Sequence, residues 1–141
     1  MYDSKNIMYI LTMLECCEKC WIYSQPYKNA KEFIFANEQR EFNATLMMFS
    51  AIGEESKKID QALKSKVFTH LEWKDVAGIR DKISHDYRGI DENILWNTIH
   101  KELHILKKAL LEMLEFLEVP DGMLGEILTS PYYKHLDYLD K

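Results

Sequence analysis

The stretch DENILWNTIHKELHILKKALLEMLEFLEVP, residues 91–120, decides the fold. Within it Ile94, Leu95, Ile99, Leu103, Leu106, Leu110, Leu114 and Leu117 follow one another mostly three or four residues apart. That spacing gathers side chains on one face of an α-helix. Asp91 is a good capping residue directly ahead of the first apolar pair, and Pro120 stops the run. The stripe predicts the longest helix of the chain, and an apolar face of that length has to be covered by other helices.

The flanking segments supply them. Ile7, Ile10, Leu11, Leu14, Cys17 and Trp21 predict a helix that Asp3 or Ser4 can cap and Pro26 ends. Residues Tyr27 to Asn37 are less regular and read as a connection or a short helical turn around Phe33 to Phe35. Phe42, Leu46, Phe49, Ile52, Ile59 and Leu63 predict a second long helix ending near Lys66. Gly53 sits inside it at a cost of about 1 kcal/mol relative to Ala, which points to close approach of another backbone or to a bend. A third helix is expected over Lys74 to Tyr87, between Trp73 and Gly89. Beyond Pro120, residues 121–129 suit a short helix and residues from Pro131 a docked or loose tail. With no repeat and no β alternation, the expectation is all-α: an up-and-down antiparallel bundle of four to five helices forming one domain, residues 1–141.

Composition agrees. The 141 residues are 47% hydrophobic and 29% charged with five Gly and three Pro, which excludes a disordered tail and a turn-rich β chain. The longest uncharged run, Phe42 to Gly53, is twelve residues, short of the roughly 20 that cross a bilayer. Ile7 to Leu14 lacks the basic leader of a secretory signal, so the expected location is the cytoplasm, with no membrane partner. Net charge is −5 with a pI near 5.5, which speaks against a wholly basic nucleic-acid surface. Residues 64–88 nevertheless carry six Lys or Arg against four acids, so positive charge is focused there.

The chemistry-bearing residues lie in that stretch. On a wheel of about 100° per residue, Val76, Ile79 and Ile83 define the buried direction and His85 falls opposite it. Arg80 lies at the edge of the stripe, and Asp81, one turn before His85, is placed to orient the imidazole and favour its protonated form. Arg80 and His85 point about 140° apart on an ideal helix. A polar face of this kind is ordinarily solvated surface. A functional reading needs the long Arg to reach round, the helix to end near His85, or a symmetry-related copy to complete the site. Any of these sets a permanent cation beside a group titrating near neutrality, a pair suited to a phosphodiester. Arg can stabilise charge developing on the phosphate, and His can move the proton of a ribose 2′-hydroxyl or of the leaving oxygen. Such cleavage calls for no metal and no cofactor, and RNA supplies its own nucleophile.

The run Arg80-x4-His85-x-Tyr87 follows Trp73, Ala77-Gly78 and Ile79 and precedes Gly89, Ile90, Asp91 and Leu95-Trp96. Together with Gly53-Glu54 in the preceding helix, it resembles the HEPN superfamily, specifically its HepT-like group, over roughly residues 5 to 118. The resemblance implies a metal-independent endoribonuclease, the toxin of a toxin–antitoxin pair. It implies Arg80 and His85 as the active site, in a cleft between the protomers of a homodimer. It implies as partner a minimal nucleotidyltransferase antitoxin that transfers AMP to Tyr87. Bulk and negative charge added there would repel an RNA phosphate. Where the group often has Asn after the Arg, this chain has Asp81, a supporting residue that tunes His85 or weakens phosphate binding. From the wheel alone, Tyr87 reads as a packed aromatic. Residues 119–141 are a C-terminal extension outside the resemblance.

Other candidates read as structural. Cys16, Cys17 and Cys20 lack a second cysteine pair, and only Cys17 is expected on the apolar stripe. His100 and His104 have metal-ligand spacing without the carboxylate of a His-Glu-x-x-His site and read as surface histidines. Trp21, Trp73 and Trp96 read as core or dimer-interface anchors rather than stacking platforms, and Met47-Met48 as packing. Two rivals remain: a non-catalytic helical partner that binds a nucleotidyltransferase, and a metal-binding helical bundle.

Overall fold

The computed structural model describes residues 4–67, 71–83 and 89–139. Helix α1, Ser4–Ser24, buries Ile7, Ile10, Leu11, Met13 and Leu14 completely. Each such side chain contributes about 1.5–3 kcal/mol of transfer free energy. The helix ends two residues before Pro26, as expected. A single turn, α2, Ala30–Phe35, is capped by Asn29, whose Oδ1 accepts from the Glu32 amide at 2.9 Å. Asn37, Glu38 and Gln39 then adopt left-handed backbone, tied down by Asn37 Nδ2 donating to Glu41 Oε2 at 2.9 Å and to the Tyr27 hydroxyl at 3.2 Å.

Helix α3, Arg40–Lys58, lies antiparallel to α1. Asn6 near the start of α1 bonds Asp60 just past the end of α3, and Tyr27 beyond the end of α1 donates to Glu41 at the start of α3, at 3.1 Å. The expected continuation of this helix to Lys66 does not occur. Ile59 turns extended, and a separate helix α4, Gln61–Lys66, follows. The break is held from α1: Asn6 Nδ2 donates to Asp60 Oδ2 at 3.0 Å, and the Asp60 amide donates to Asn6 Oδ1 at 3.1 Å. The third helix is likewise divided, into α5, Trp73–Ala77, and α6, Ile79–Ile83, with Gly78 ending the first. The expected residues beyond Ile83, as far as Tyr87, lie outside the described residues.

Asp91 caps α7, Glu92–Asn97, by accepting from the Ile94 amide at 3.0 Å. The predicted long helix is continuous in direction but widens into a π-helical turn over Thr98–Glu102 before α8, Leu103–Leu117. Glu118 turns left-handed at its end, and Pro120 leads into α9, Asp121–Ile127. The tail is docked. A 3₁₀ segment, Pro131–Leu139, runs parallel to α1, with Leu136 fully buried. The hydroxyls of Tyr133 and Thr12 lie 3.3 Å apart, the His135 amide donates to Glu15 Oε1 at 2.8 Å, and the Tyr138 hydroxyl donates to Glu18 Oε2 at 2.9 Å. The architecture is all-α, without a strand among the described residues, and the expected helices appear in shorter pieces. No helix among the described residues is long and apolar enough to cross a membrane.

Covered by α3, by α8 and by the tail, α1 has almost no free side, which corrects the expectation that Cys16 and Cys20 face away from the core. All three cysteines are buried. Burial pushes the Cys16 thiol up to about 11 from an ordinary 9.0 and drives Cys17 and Cys20 up as well. Native protein at pH 8 should therefore resist alkylation by iodoacetamide and react at all three thiols once unfolded; rapid native labelling would contradict this burial. In the unfolded chain each thiol ionises near 9.0, while Cys16 keeps its proton in the fold to about 11. The unfolded state then binds fewer protons, so the thiol contribution is intact below pH 9.0 and is lost as pH rises toward 11. In urea titrations across this window, Cys16→Ala should make the decline shallower.

Gly53 is a close-approach glycine. A Cβ built there would stand 2.6 Å from the Ala77 carbonyl oxygen, so α5 crosses α3 backbone to backbone. Gly53→Ala gains about 1 kcal/mol of helix propensity but must push a backbone carbonyl aside, an overpacking cost of about 1–3 kcal/mol. The expected net result in urea titration is lower stability; an increase would show that α5 moves freely.

Candidate active site

Helix α6 is short, and its placement depends on two isoleucines. Ile79 and Ile83 are buried on one side, which leaves Arg80 between them with its side chain 43% exposed. Asp81 is more exposed still, at 77%, and its Oδ1 lies 3.6 Å from Arg80 Nη1. The carboxylate expected to support His85 stands next to the guanidinium, and its relation to His85 lies outside the described residues. An ion pair so exposed and so long is worth about 0–1 kcal/mol, so an incoming phosphate displaces it at little cost. His85 and Tyr87 lie outside the described residues. What flanks them is described: the Asp91 amide donates to the Ile83 carbonyl at 3.1 Å, so the residues on either side of 84–90 are bonded to each other.

Behind α6 the support runs back to α3 and α4. Trp73 opens α5 half-buried, and Lys64 Nζ sits 5.0 Å from the centre of its ring. Burial pulls the Lys64 amine below its ordinary range. Sequence reasoning missed a cavity of about 190 Å³ beside α6, lined in part by Asp75, Val76, Ile79, Lys82, Thr98 and Glu102. Glu72 also lines it, so three acids face one lysine and a phosphate is repelled. It forms between α5–α6 and the π-helical turn, elements whose adjacency no local spacing reveals. Arg80 is instead open on the solvent side.

The other candidates resolve structurally. The cysteines are buried and protonated at neutral pH, with Cys16 up at about 11. His100 and His104 lean on one indole, with ring centres 5.4 and 5.0 Å from that of Trp21, and His100 Nδ1 lies 2.9 Å from the Trp96 carbonyl oxygen. No group of three His, Cys, Asp or Glu that could hold a metal occurs among the described residues.

The family model described as "Ribonuclease HepT-like" matches residues 13–113, a span that includes Arg80, His85 and Tyr87. Among curated relatives, the provisionally named RNase MJ1216 of Methanocaldococcus jannaschii is 32% identical over 94 residues, 67% of this chain and 77% of that one. The provisionally named RNase TTE0752 of Caldanaerobacter subterraneus is 39% identical over 64 residues, 45% of this chain and 56% of that one. A "Probable ribonuclease HepT" of Thermococcus cleftensis is 34% identical over 64 residues, 45% of this chain and 57% of that one. The match to the latter two therefore spans little more than half their length. No solved structure matches the chain at a significant level. The matched span and the all-helical architecture agree, and this chain belongs to the HepT-like ribonuclease family of the HEPN superfamily.

Proposed function

We propose that this protein is a metal-independent endoribonuclease, the toxin of a type II-like toxin–antitoxin system, acting in the cytoplasm as a homodimer. The observation that carries the reading is the family match over the segment in which a short, core-anchored helix holds Arg80 out to solvent. The names of the relatives support ribonuclease activity in the family. In the proposed reaction His85 takes the proton of a ribose 2′-hydroxyl and the 2′-oxygen attacks phosphorus. The bond to the 5′-oxygen of the next nucleotide breaks, leaving a 2′,3′-cyclic phosphate and a 5′-hydroxyl. The proton returns to the leaving oxygen from His85 or from the same residue of the second protomer, while Arg80 stabilises the negative charge at phosphorus. Asp81 occupies the guanidinium until RNA arrives. Transfer of AMP to Tyr87 by a nucleotidyltransferase antitoxin would put a competing phosphate beside Arg80 and block the cleft.

The test is cleavage of total cellular RNA in EDTA by wild type, Arg80→Ala and His85→Ala. Wild type should cut, leaving 2′,3′-cyclic phosphate ends. His85→Ala should lose about 10²–10⁴-fold, the usual contribution of a general acid–base, and Arg80→Ala about 10²–10³-fold. Both substitutions should relieve growth arrest on expression. If wild type is inactive, intact mass shows whether Tyr87 carries an adenylyl group; an unmodified, inactive wild type would overturn the reading in favour of a non-catalytic nucleotidyltransferase partner.

A further inference from the structure

Six rings from six segments form a continuous series. Tyr27 and Phe33 have centroids 5.9 Å apart, Phe33 and Trp96 6.0 Å, and Trp96 and His100 4.2 Å. The series continues from His100 to Trp21 at 5.4 Å and from Trp21 to His104 at 5.0 Å. It is anchored at the fully buried Phe33, with Tyr27 half-buried at its near end, and reaches the surface at the far end, where Trp96, His100 and Trp21 are half-buried and His104 is exposed. The contact of His100 Nδ1 with the Trp96 carbonyl fixes the middle ring. Packing alone accounts for the buried end but not for a run of aromatic surface that ends in solvent.

Cations border that surface. Lys101 and Lys108 stand three residues before and four after His104, on the same side of the helix, and both are exposed. Neither has an ion pair among the described residues, and Glu102 is the sole acid within residues 100–108. Lys107 is already committed: it bonds Glu18 Oε2 at 2.7 Å and lies over the Tyr138 ring at 4.8 Å. Beside the rings is a hollow of about 180 Å³ lined in part by Trp21, His104, Lys107 and Glu18. The Lys107 ion pair and the Tyr138 hydroxyl at 2.9 Å offset the charge of Glu18 there. In a chain of net charge −5, such a strip is where an anionic polymer with flat, stackable groups finds purchase.

We propose that Trp21, Trp96, His100 and His104, with Lys101 and Lys108, form a binding surface for single-stranded RNA, on elements other than the Arg80 helix. Unpaired bases stack on the exposed ring edges and faces, and the two lysines meet the phosphates between them. The proposal rests on the ribonuclease reading for the identity of its ligand, but its test is separate.

The probe is a short, fluorescently labelled 2′-O-methyl oligoribonucleotide, whose blocked 2′-oxygen prevents cleavage, titrated with the full chain and followed by anisotropy. Wild type should bind. Neutralising both lysines, Lys101→Gln with Lys108→Gln, should flatten log Kd against log salt by about 0.7 per lost contact. His104→Ala should weaken binding about 5- to 150-fold, the range of one lost stacking partner, and His104→Phe should restore it. Glu126→Gln, at an exposed position on α9, should bind the probe within about twofold of wild type, since each strip contact remains. All these positions are exposed, and circular dichroism should show the fold intact. Equal binding by wild type and strip variants, or no binding by wild type, overturns the proposal. So does a change of molar mass in the strip variants by light scattering, which would make the strip an interface between copies. A wild type that binds through the strip but does not cut RNA keeps the strip and fails the ribonuclease reading. One that cuts while strip variants bind and cut as well as wild type fails the strip alone.

Discussion

The crossing of α3 and α5 governs everything downstream of it. With no side chain at Gly53, the Ala77 carbonyl comes to where a Cβ would be, and the two backbones pack at a distance no other residue permits. That contact fixes the end of α5, Gly78 releases the chain from helix for one residue, and α6 begins immediately with Ile79 driven into the core. The direction in which Arg80 leaves the molecule follows from these three steps. A short helix of five residues has little stability of its own, because nucleation is costly and few internal bonds repay it. Its orientation comes from Ile79, from Ile83 and from the bond between Ile83 and Asp91 that closes the segment behind them.

Periodicity made the helices legible, and tertiary bonds decided where they stop. The stripes of α1, α3 and α8 and the Asp91 cap could be read directly because each is a local pattern. The end of α3 could not: Ile59 and Leu63 keep helical spacing, and the break between them is imposed by Asn6, 54 residues away. The cysteines show a different limit. A wheel assumes one covered face, whereas α1 is enclosed by α3, α8 and a tail whose docking depends on Glu15 and Glu18, residues that look like ordinary surface acids in sequence. At the site, Arg80 and Asp81 stood out by charge and motif, yet the partner of Asp81 among the described residues is its neighbour Arg80. The pair His100 and His104 was visible as spacing, but the indole they share comes from α1, and convergence of that kind is written in packing.

For an acidic chain to handle RNA as proposed, it must localise its cations and keep them available. Arg80 satisfies this through a weak partner: a guanidinium 3.6 Å from an exposed carboxylate is held roughly in place yet not neutralised by a buried bond. Lys101 and Lys108, with Glu102 beside the first and Glu112 one turn beyond the second, satisfy it by having no ion pair among the described residues, whereas Lys107 is spent on Glu18 and on fastening the C-terminal segment to α1 and α8.

Separating a gripping surface from the reacting residues has an energetic logic. Interactions that hold substrate and transition state equally lower KM without raising the rate of the chemical step. Stacking and phosphate contacts along the proposed strip are of this uniform kind, since the bases there do not change as the bond breaks. Stabilisation specific to the transition state has to come from groups at phosphorus, and under the proposed mechanism these are Arg80 and His85. A weakly paired arginine suits that role. Its interaction strengthens as charge builds on the phosphate, and the competing carboxylate of Asp81, fixed in charge and exposed to water, gains nothing over the same step.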